Sequence, residues 1–321
     1  MRVVITGGAG FLGSHLCDAL LRRGDSVVCV DDLSTGRLEN LENARRSPAF
    51  WFVEADVTRG LGVPGPVDAV AHLASPASPP DYLRRPLQTL AAGSRGTEHA
   101  LDLARRHRAR FLLASTSEVY GSPQVHPQTE EYWGHVNPVG PRSVYDESKR
   151  FAEALTTAYR GALGVNTGIV RIFNTYGPRM RADDGRVVSN FISQALGGDP
   201  ITVYGDGEQT RSFCYVDDLV RGLMAMLDSD HNGPVNLGNP AEFTVGQLAV
   251  MVREMTEISA PVHYRELPQD DPPRRRPAIE RAVRTLGWRP LVDLTEGLGH
   301  TIEWFRSRSG ELRGGEVTVA G

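Results

Sequence analysis

Between Arg2 and Phe173 the chain alternates short apolar runs with stretches of helical periodicity, and this alternation limits the fold more than any other feature. The runs Arg2–Thr6 (RVVIT), Ser26–Asp32, Phe50–Val57, Val67–Ala74, Arg110–Thr116 and Val165–Phe173 are rich in β-branched and aromatic residues, with little polar alternation. Such runs mark strands buried on both faces. Between them, Phe11–Arg23 sets Leu12, Leu16 and Leu20 on one helical face and stops at Gly24. Further helices are expected near Leu87–His107 and Tyr145–Leu163. Strands separated by helices in this way predict an α/β fold, a doubly wound parallel sheet covered on both faces.

The texture changes after Asn174. Pro178–Asp199 carries several arginines and a helix-like VVSNFISQAL, Ile201–Tyr204 reads as a short strand, Asp217–Leu227 as a helix and Val235–Gly238 as a strand. Thr244–Glu257 and Leu294–Arg306 read as later helices. A smaller C-terminal α/β domain, interleaved with the first, is therefore expected. Residues 1–173 would form the first domain with 212–239 returning to it, 174–211 and 240–308 the second, and the glycine-rich 309–321 a frayed tail. At 321 residues there is room for both.

Composition removes several function classes. A net charge of −4 gives no electrostatic case for nucleic acid. No apolar run reaches the roughly 18 residues that span a bilayer, so no membrane role is expected. Cys17, Cys29 and Cys214 are too few and too scattered for a disulfide framework, which fits a cytoplasmic protein. A strand beginning at Arg2 leaves no room for a signal peptide. The nine histidines show no metal-binding spacing, so no metal site is expected. Of the 35 basic residues only Lys149 is lysine, and an ammonium has a tunable charge that a guanidinium lacks.

Gly7, Gly10 and Gly13 form GxxGxxG directly between the RVVIT strand and the first helix. Glycine there permits a tight turn, a close approach of backbone N–H groups to a pyrophosphate, and close strand–helix packing. The helix N-terminus adds orphan donors that favour an anion. Asp31 ends the second strand, 18 residues beyond Gly13, where a carboxylate binds the adenosine ribose. A carboxylate repels a 2′-phosphate, so NAD is expected over NADP. Further cofactor contacts are expected along the first half of the chain. These are Phe11 and Leu12, then Asp32, Ser34, Thr35 and Gly36, then Asp56 and Val57, then Leu73, Ala74 and Ser75, and finally Ala114.

Tyr145 and Lys149 are spaced i, i+4, which sets them on one helix face. A phenol titrates near 10. A neighbouring ammonium and an oxidised nicotinamide favour the phenolate, making Tyr145 a base for an alcohol proton. The pair follows a strand ending Ser115-Thr116-Ser117-Glu118, at the sheet edge where parallel-sheet sites collect.

These motifs, TGGAGFLG (Thr6–Gly13), Asp31, ASTSEVYG (Ala114–Gly121) and Tyr145/Lys149, resemble the extended short-chain dehydrogenase/reductase family. HLASPASPPDY (His72–Tyr82), EEYWGHVNPVGPRSVYDESKR (Glu130–Arg150), RIFNTYGPRM (Arg171–Met180), DGRVVSNFI (Asp184–Ile192) and DDPPRRRPAI (Asp270–Ile279) are similar to the UDP-glucuronic acid decarboxylases within it. The resemblance implies a Rossmann-type NAD domain and conversion of UDP-glucuronate to UDP-xylose through a 4-keto intermediate. Thr116, Ser117 and Glu118 would then join Tyr145 and Lys149 at the reacting sugar. Arg275 would orient the substrate carboxylate, Arg211 and Arg274 would clamp the pyrophosphate, and Tyr204 would stack on uracil. Asn174, Val188 and Gln209 complete the implied substrate site. A homodimer through a four-helix bundle, from the two helices near Leu87–His107 and Tyr145–Leu163, is also implied. Ser117 stands where the related 4,6-dehydratases carry an aspartate able to protonate a leaving hydroxyl. Gly93 and Ala91 depart from the asparagine and lysine often found there in the family.

Three other outcomes stay open on the residues alone. One is a UDP-sugar 4-epimerase or 4,6-dehydratase, against which stand Ser117 and the cost of a buried Arg275 without an anion. Another is a decarboxylase that stops at the 4-keto pentose. The third is a nucleotide-sensing regulator on the same fold, which would have no need of Tyr145 or Lys149.

Overall fold

The structure is a computed structural model and describes residues 1–267 and 274–308. Its centre is a seven-stranded, all-parallel sheet. Six strands come from the first half: β1 (Arg2–Thr6), β2 (Ser26–Asp31), β3 (Phe50–Glu54), β4 (Ala69–His72), β5 (Arg110–Thr116) and β6 (Thr167–Ile172). The seventh, Val235–Leu237, pairs with β6 at the edge. The order is Val235–Leu237, β6, β5, β4, β1, β2, β3. Strand order reverses between β1 and β4, and the carboxyl ends of the strands part there to leave a crevice.

The continuous apolar runs have a physical reason. Along β1, Val3 and Ile5 belong to one buried cluster, together with Leu16 and Leu20 of the helix Phe11–Arg23 and Leu219 and Leu223 of the helix Val216–Leu227. Val4 faces the other way, into a cluster with Leu101 and Ala104 of the helix Thr97–His107 and Ala152 of the helix Ser143–Leu163. On β5, Leu112 joins the first cluster while Phe111 and Leu113 join the second. Both faces are covered, so no position is left for polar alternation.

β1, the helix Phe11–Arg23 and β5 run between the residues expected from sequence. Others end earlier. β3 stops at Glu54 because the Asp56 carboxylate accepts the Thr58 N–H at 2.8 Å and caps the 3-10 turn Val57–Arg59. The helix expected over Leu87–His107 is divided into Pro86–Ala91, a π-helical turn Ala92–Gly96, and Thr97–His107. Gly93 in the π turn lies so close to the helix Ser143–Leu163 that a Cβ there would stand 2.7 Å from Ser148 Cβ. The substitution at this departure position thus has a packing reason.

Beyond residue 174 the small sheets are short. Glu242–Thr244, Thr210–Ser212 and Arg274–Arg275 form one, and Ile201–Tyr204 pairs with Val262–Arg265 in another. The expected tail 309–321 and the Asp270–Pro273 start of the DDPPRRRPAI stretch lie outside the described residues. No helix among the described residues is long and apolar enough to cross a membrane.

Candidate active site

The glycine loop is built by close approach. Gly7 has φ +71°, and its N–H donates to the Val30 carbonyl at 2.8 Å, tying the loop to β2. A Cβ on Gly13 would stand 2.2 Å from the Gly7 carbonyl oxygen, so only glycine fits. Gly10 caps the following helix without a side-chain hydrogen bond, and the first-turn N–H groups lack intrahelical acceptors. Asp31 is buried at the end of β2, where its carboxylate accepts the N–H groups of Ala9 and Leu33, both at 2.9 Å. Burial raises its pKa, and these two bonds oppose the rise. The loop, the uncapped helix start and the carboxylate together fit the pyrophosphate and ribose of a dinucleotide.

A cavity of about 810 Å³ opens from this loop across the carboxyl ends of the strands. It brings together Gly7, Gly10, Phe11, Leu12, Gly13, Asp31, Asp32, Ser34, Thr35, Asp56, Val57, Leu73, Ala74, Ser75 and Ala114 at one end. Thr116, Ser117, Glu118, Tyr145, Lys149, Asn174, Val188, Tyr204, Gln209, Arg211 and Arg275 line the rest. Two expected residues are not on its wall. Gly36 packs instead against the Asp31 carboxylate, leaving no room for a side chain, since a Cβ would lie 2.9 Å from Asp31 Oδ1. Arg274 is exposed, in register with Thr210, while its neighbour Arg275 turns inward. Alternation along this short strand explains the split.

Tyr145 and Lys149 lie one turn apart on the helix Ser143–Leu163. The Thr116 side chain lies beside the Tyr145 phenol and favours its ionised form. Lys149 Nζ donates to the Ala114 carbonyl at 2.9 Å and stands 5.9 Å from the centre of the Tyr145 ring. Burial pushes the phenol above its ordinary pKa, and the charge of Arg186 pulls against that rise. Burial also brings Lys149 down to about 8, opposed by Glu153. On β4, His72 is pushed down to about 3 by burial and by the Lys149 charge, so it stays neutral.

Sequence reasoning missed three neighbours and left a fourth without a role. Tyr82 stacks on Tyr145, ring centres 5.3 Å apart and planes within 5°. Arg142 Nη2 donates to Glu118 Oε2 at 2.6 Å. Arg275 Nη2 donates to the same oxygen at 3.0 Å, and its Nη1 donates to Oε1. Arg275 therefore has an anion in Glu118 already, and its burial alone does not demand an acidic substrate. Burial raises the Glu118 carboxyl, but Arg275 and Arg142 outweigh it and hold it at about 2. Asp146 is raised to about 7, first by burial and then by the Glu118 charge. Arg186, whose purpose the sequence did not assign, donates to the Ala77 carbonyl at 2.9 Å and lines the cavity. Tyr82 and Arg142 lie inside the stretches quoted above, but no spacing rule singles them out. Among the described residues no group of three or more His, Cys, Asp or Glu side chains could hold a metal ion.

The family model described as "NAD dependent epimerase/dehydratase family" matches residues 3–238. UDP-glucuronic acid decarboxylase 1 of Xenopus tropicalis is 53% identical over 305 residues, covering 95% of this chain and 72% of that protein. UDP-glucuronic acid decarboxylase 1 of Arabidopsis thaliana is 52% identical over 308 residues, covering 96% and 70%. Among solved structures, UDP-glucose 4-epimerase of Thermotoga maritima with UDP-glucose superposes with a TM-score of 0.87 at 30% identity, covering 96% of this chain and 100% of that one. UDP-glucuronic acid 4-epimerase of Bacillus cereus, in complex with UDP-glucuronic acid and NAD, gives 0.85 at 28% identity, covering 96% and 99%. With its glycine loop, ribose carboxylate and tyrosine–lysine pair in one cavity, the chain belongs to the NAD-dependent epimerase/dehydratase family.

Proposed function

We propose that this chain is a UDP-glucuronic acid decarboxylase that forms UDP-xylose and leaves its NAD unconsumed. One observation carries the reading beyond the family. Within the cavity that holds Tyr145, Arg142 and Arg275 flank Glu118, and the neighbouring position is Ser117 rather than a carboxylic acid. The wall offers guanidiniums for an acidic sugar, and the position after Thr116 carries a hydroxyl rather than a carboxyl.

The glycine loop would hold the pyrophosphate and Asp31 the ribose. When bound, the dinucleotide would supply a hydride acceptor for C4 of the sugar and the same hydride for its later reduction. Tyr145 takes the C4 hydroxyl proton, and Thr116, beside the same phenol, holds the C4 oxygen. A uronate does not lose CO2 readily, because the electrons left on C5 have no acceptor. A ketone at C4 supplies one. The C5–C6 electrons pass toward the C4 oxygen as CO2 departs, and Tyr145 with Thr116 stabilises the enolate. C5 then takes a proton from solvent, and Tyr145 returns its own to the C4 oxygen as the hydride is restored to C4. A tight ground-state ion pair to the departing carboxylate would slow its loss, so Arg275 serves orientation, setting the C5–C6 bond parallel to the ketone π system. At about 2, Glu118 is no acid near neutrality, and in this arrangement it positions the two guanidiniums. Arg211, Tyr204, Gln209, Asn174 and Val188 would hold UDP.

In this reading residues 1–173 with 212–239 bind NAD, and 174–211 with 240–308 bind the UDP-sugar. The working unit is a homodimer. Leu87 and Leu90 on the helix Pro86–Ala91, and Phe151 on the helix Ser143–Leu163, are exposed apolar side chains suited to a second copy. The three cysteines are free and buried, which accords with a reducing cytoplasm.

Purified protein incubated with UDP-glucuronate and catalytic NAD should release CO2, form a UDP-pentose and accumulate no NADH. A hexuronate epimer, or unchanged substrate, overturns the reading. Lasting NADH with a 4-keto pentose would identify an enzyme that stops before re-reduction.

A further inference from the structure

Three consecutive residues of β5 address three residues spaced four apart on one helix. Thr116 lies beside the Tyr145 phenol, the Ala114 carbonyl accepts from Lys149, and Ser115 Oγ donates to Glu153 Oε1 at 2.6 Å. The first two contacts belong to the reacting centre. The third leads away from the cavity. Glu153 also accepts two bonds from Arg171 of β6, Nε to Oε1 at 3.0 Å and Nη2 to Oε2 at 2.8 Å. Arg171 in turn donates to Tyr120 Oη at 3.0 Å and to the Glu130 carbonyl at 3.1 Å. Glu153 therefore fastens the catalytic helix to two strands, and it lies one turn from Lys149 on the same face.

We propose that Glu153 is a positioning residue for the redox centre, holding the Tyr145/Lys149 helix in register and supplying the negative charge behind Lys149, with Arg171 as its counterweight. The Glu153 charge opposes the effect of burial on Lys149. Across the fold, β4 presents His72, whose ring is held by the hydroxyls of Thr6 at 2.7 Å and Thr97 at 3.2 Å and is kept neutral. β5 presents the Ala114 carbonyl and the Thr116 hydroxyl. Tyr145, on the same helix, is a phenol whose pKa burial raises and the Arg186 charge lowers. β6 presents Arg171, a like charge that Glu153 separates from effect by pairing with it. Removing Glu153's charge leaves the ammonium with burial and an unpaired guanidinium, both of which favour its neutral form. Removing Arg171's charge leaves the carboxylate uncompensated, which favours the ammonium.

Lys149 is the only lysine in the chain, so protein grown on lysine labelled at Cε and Nζ gives one lysine signal. Its shift against pH reports the Lys149 charge directly, without turnover or bound dinucleotide. The wild-type midpoint should lie at about 8. Glu153→Gln keeps the shape and the acceptor for Ser115, and should lower the midpoint by about one unit. Arg171→Met should raise it. A brace that acts only through packing would move both variants the same way or neither, and either result overturns the proposal. If Arg171→Met does not fold, Glu153→Gln decides alone, and an unchanged midpoint refutes it. The catalytic consequence rests on the decarboxylase reading, and appears as a basic limb of kcat that moves with the midpoint. The titration does not depend on that reading, so the two can fail separately.

Discussion

Two glutamate–arginine clusters flank the Tyr145 helix, and they use the same chemistry for different ends. Glu153 is bonded by Arg171 and Ser115, all three held on secondary structure and none of the acid–base pair on the cavity wall. Glu118 is bonded by Arg142 and Arg275, and all three line the cavity. The first cluster has one cation for one anion, and of its three members Ser115 alone reaches the cavity wall. The second has two cations for one anion, so an incoming carboxylate finds a positive charge in excess. A buried ion pair is weak evidence for stability by itself, and its setting decides its use. Here placement relative to the cavity separates a brace from a receptor.

Tyr145 stands between the clusters, and its replacement tests what both are for. Tyr145→Phe should lower kcat by about 10²–10⁴-fold, the range for removing a general acid–base group. NAD content, read from the absorbance of dinucleotide released on denaturation, should not change. Retained turnover would mean that neither cluster serves a phenol-centred reaction.

The next largest effects should separate the clusters directly. Arg275→Met should reduce turnover of UDP-glucuronate by about 10²-fold or more, the scale of a lost 2–5 kcal/mol charge contact. UDP binding by calorimetry should stay within a few-fold, and the urea midpoint should move little, because Arg142 still pairs Glu118. Arg171→Met should do the reverse on stability. It removes the arginine bonded twice to Glu153, and breaking a buried pair costs about 3–5 kcal/mol. Equal losses of stability in the two variants would erase the distinction drawn here.

How much of this was legible in the sequence depends on distance along the chain. β1, the first helix and β5 were readable to the residue, because local periodicity and a glycine stop are written in consecutive positions. The glycine loop and the Tyr145/Lys149 pair were readable for the same reason. The π turn at Ala92–Gly96 was not, since it follows from packing Gly93 against Ser148 on a distant helix. Arg142 lies only three residues before Tyr145, yet its partner Glu118 is 24 positions away and no periodicity marks the contact. Arg275 was assigned through resemblance, and its pairing with Glu118, 157 positions away, emerged only from the fold. Glu153 continues the four-residue spacing of Tyr145 and Lys149. Extending that spacing one more turn would have found it.

Asp146 gives the smallest effect and the sharpest sign. It is buried beside Tyr145, and one of its carboxylate oxygens has no hydrogen-bond partner among the described residues. Burial, then the Glu118 charge, raises it from the ordinary 3.8 to about 7. Glu118 moves the other way, from 4.5 to about 2. A raised folded-state pKa means that the fold binds the proton more tightly than the unfolded chain does. The resulting stability is fully present below pH 3.8 and is lost as pH rises through about 7. Glu118 has the opposite slope, gaining stability as pH rises from about 2 to 4.5. Asp146→Asn mimics the protonated carboxyl at every pH. Between pH 4 and 8 the variant should therefore gain on wild type, by about 1 kcal/mol or more, in urea midpoints measured across that range. Glu118→Gln should instead lose on wild type as pH rises from 2 to 5. If both differences stay constant with pH, the two carboxyls do not titrate apart, and the excess positive charge assigned to the cavity cluster has no basis.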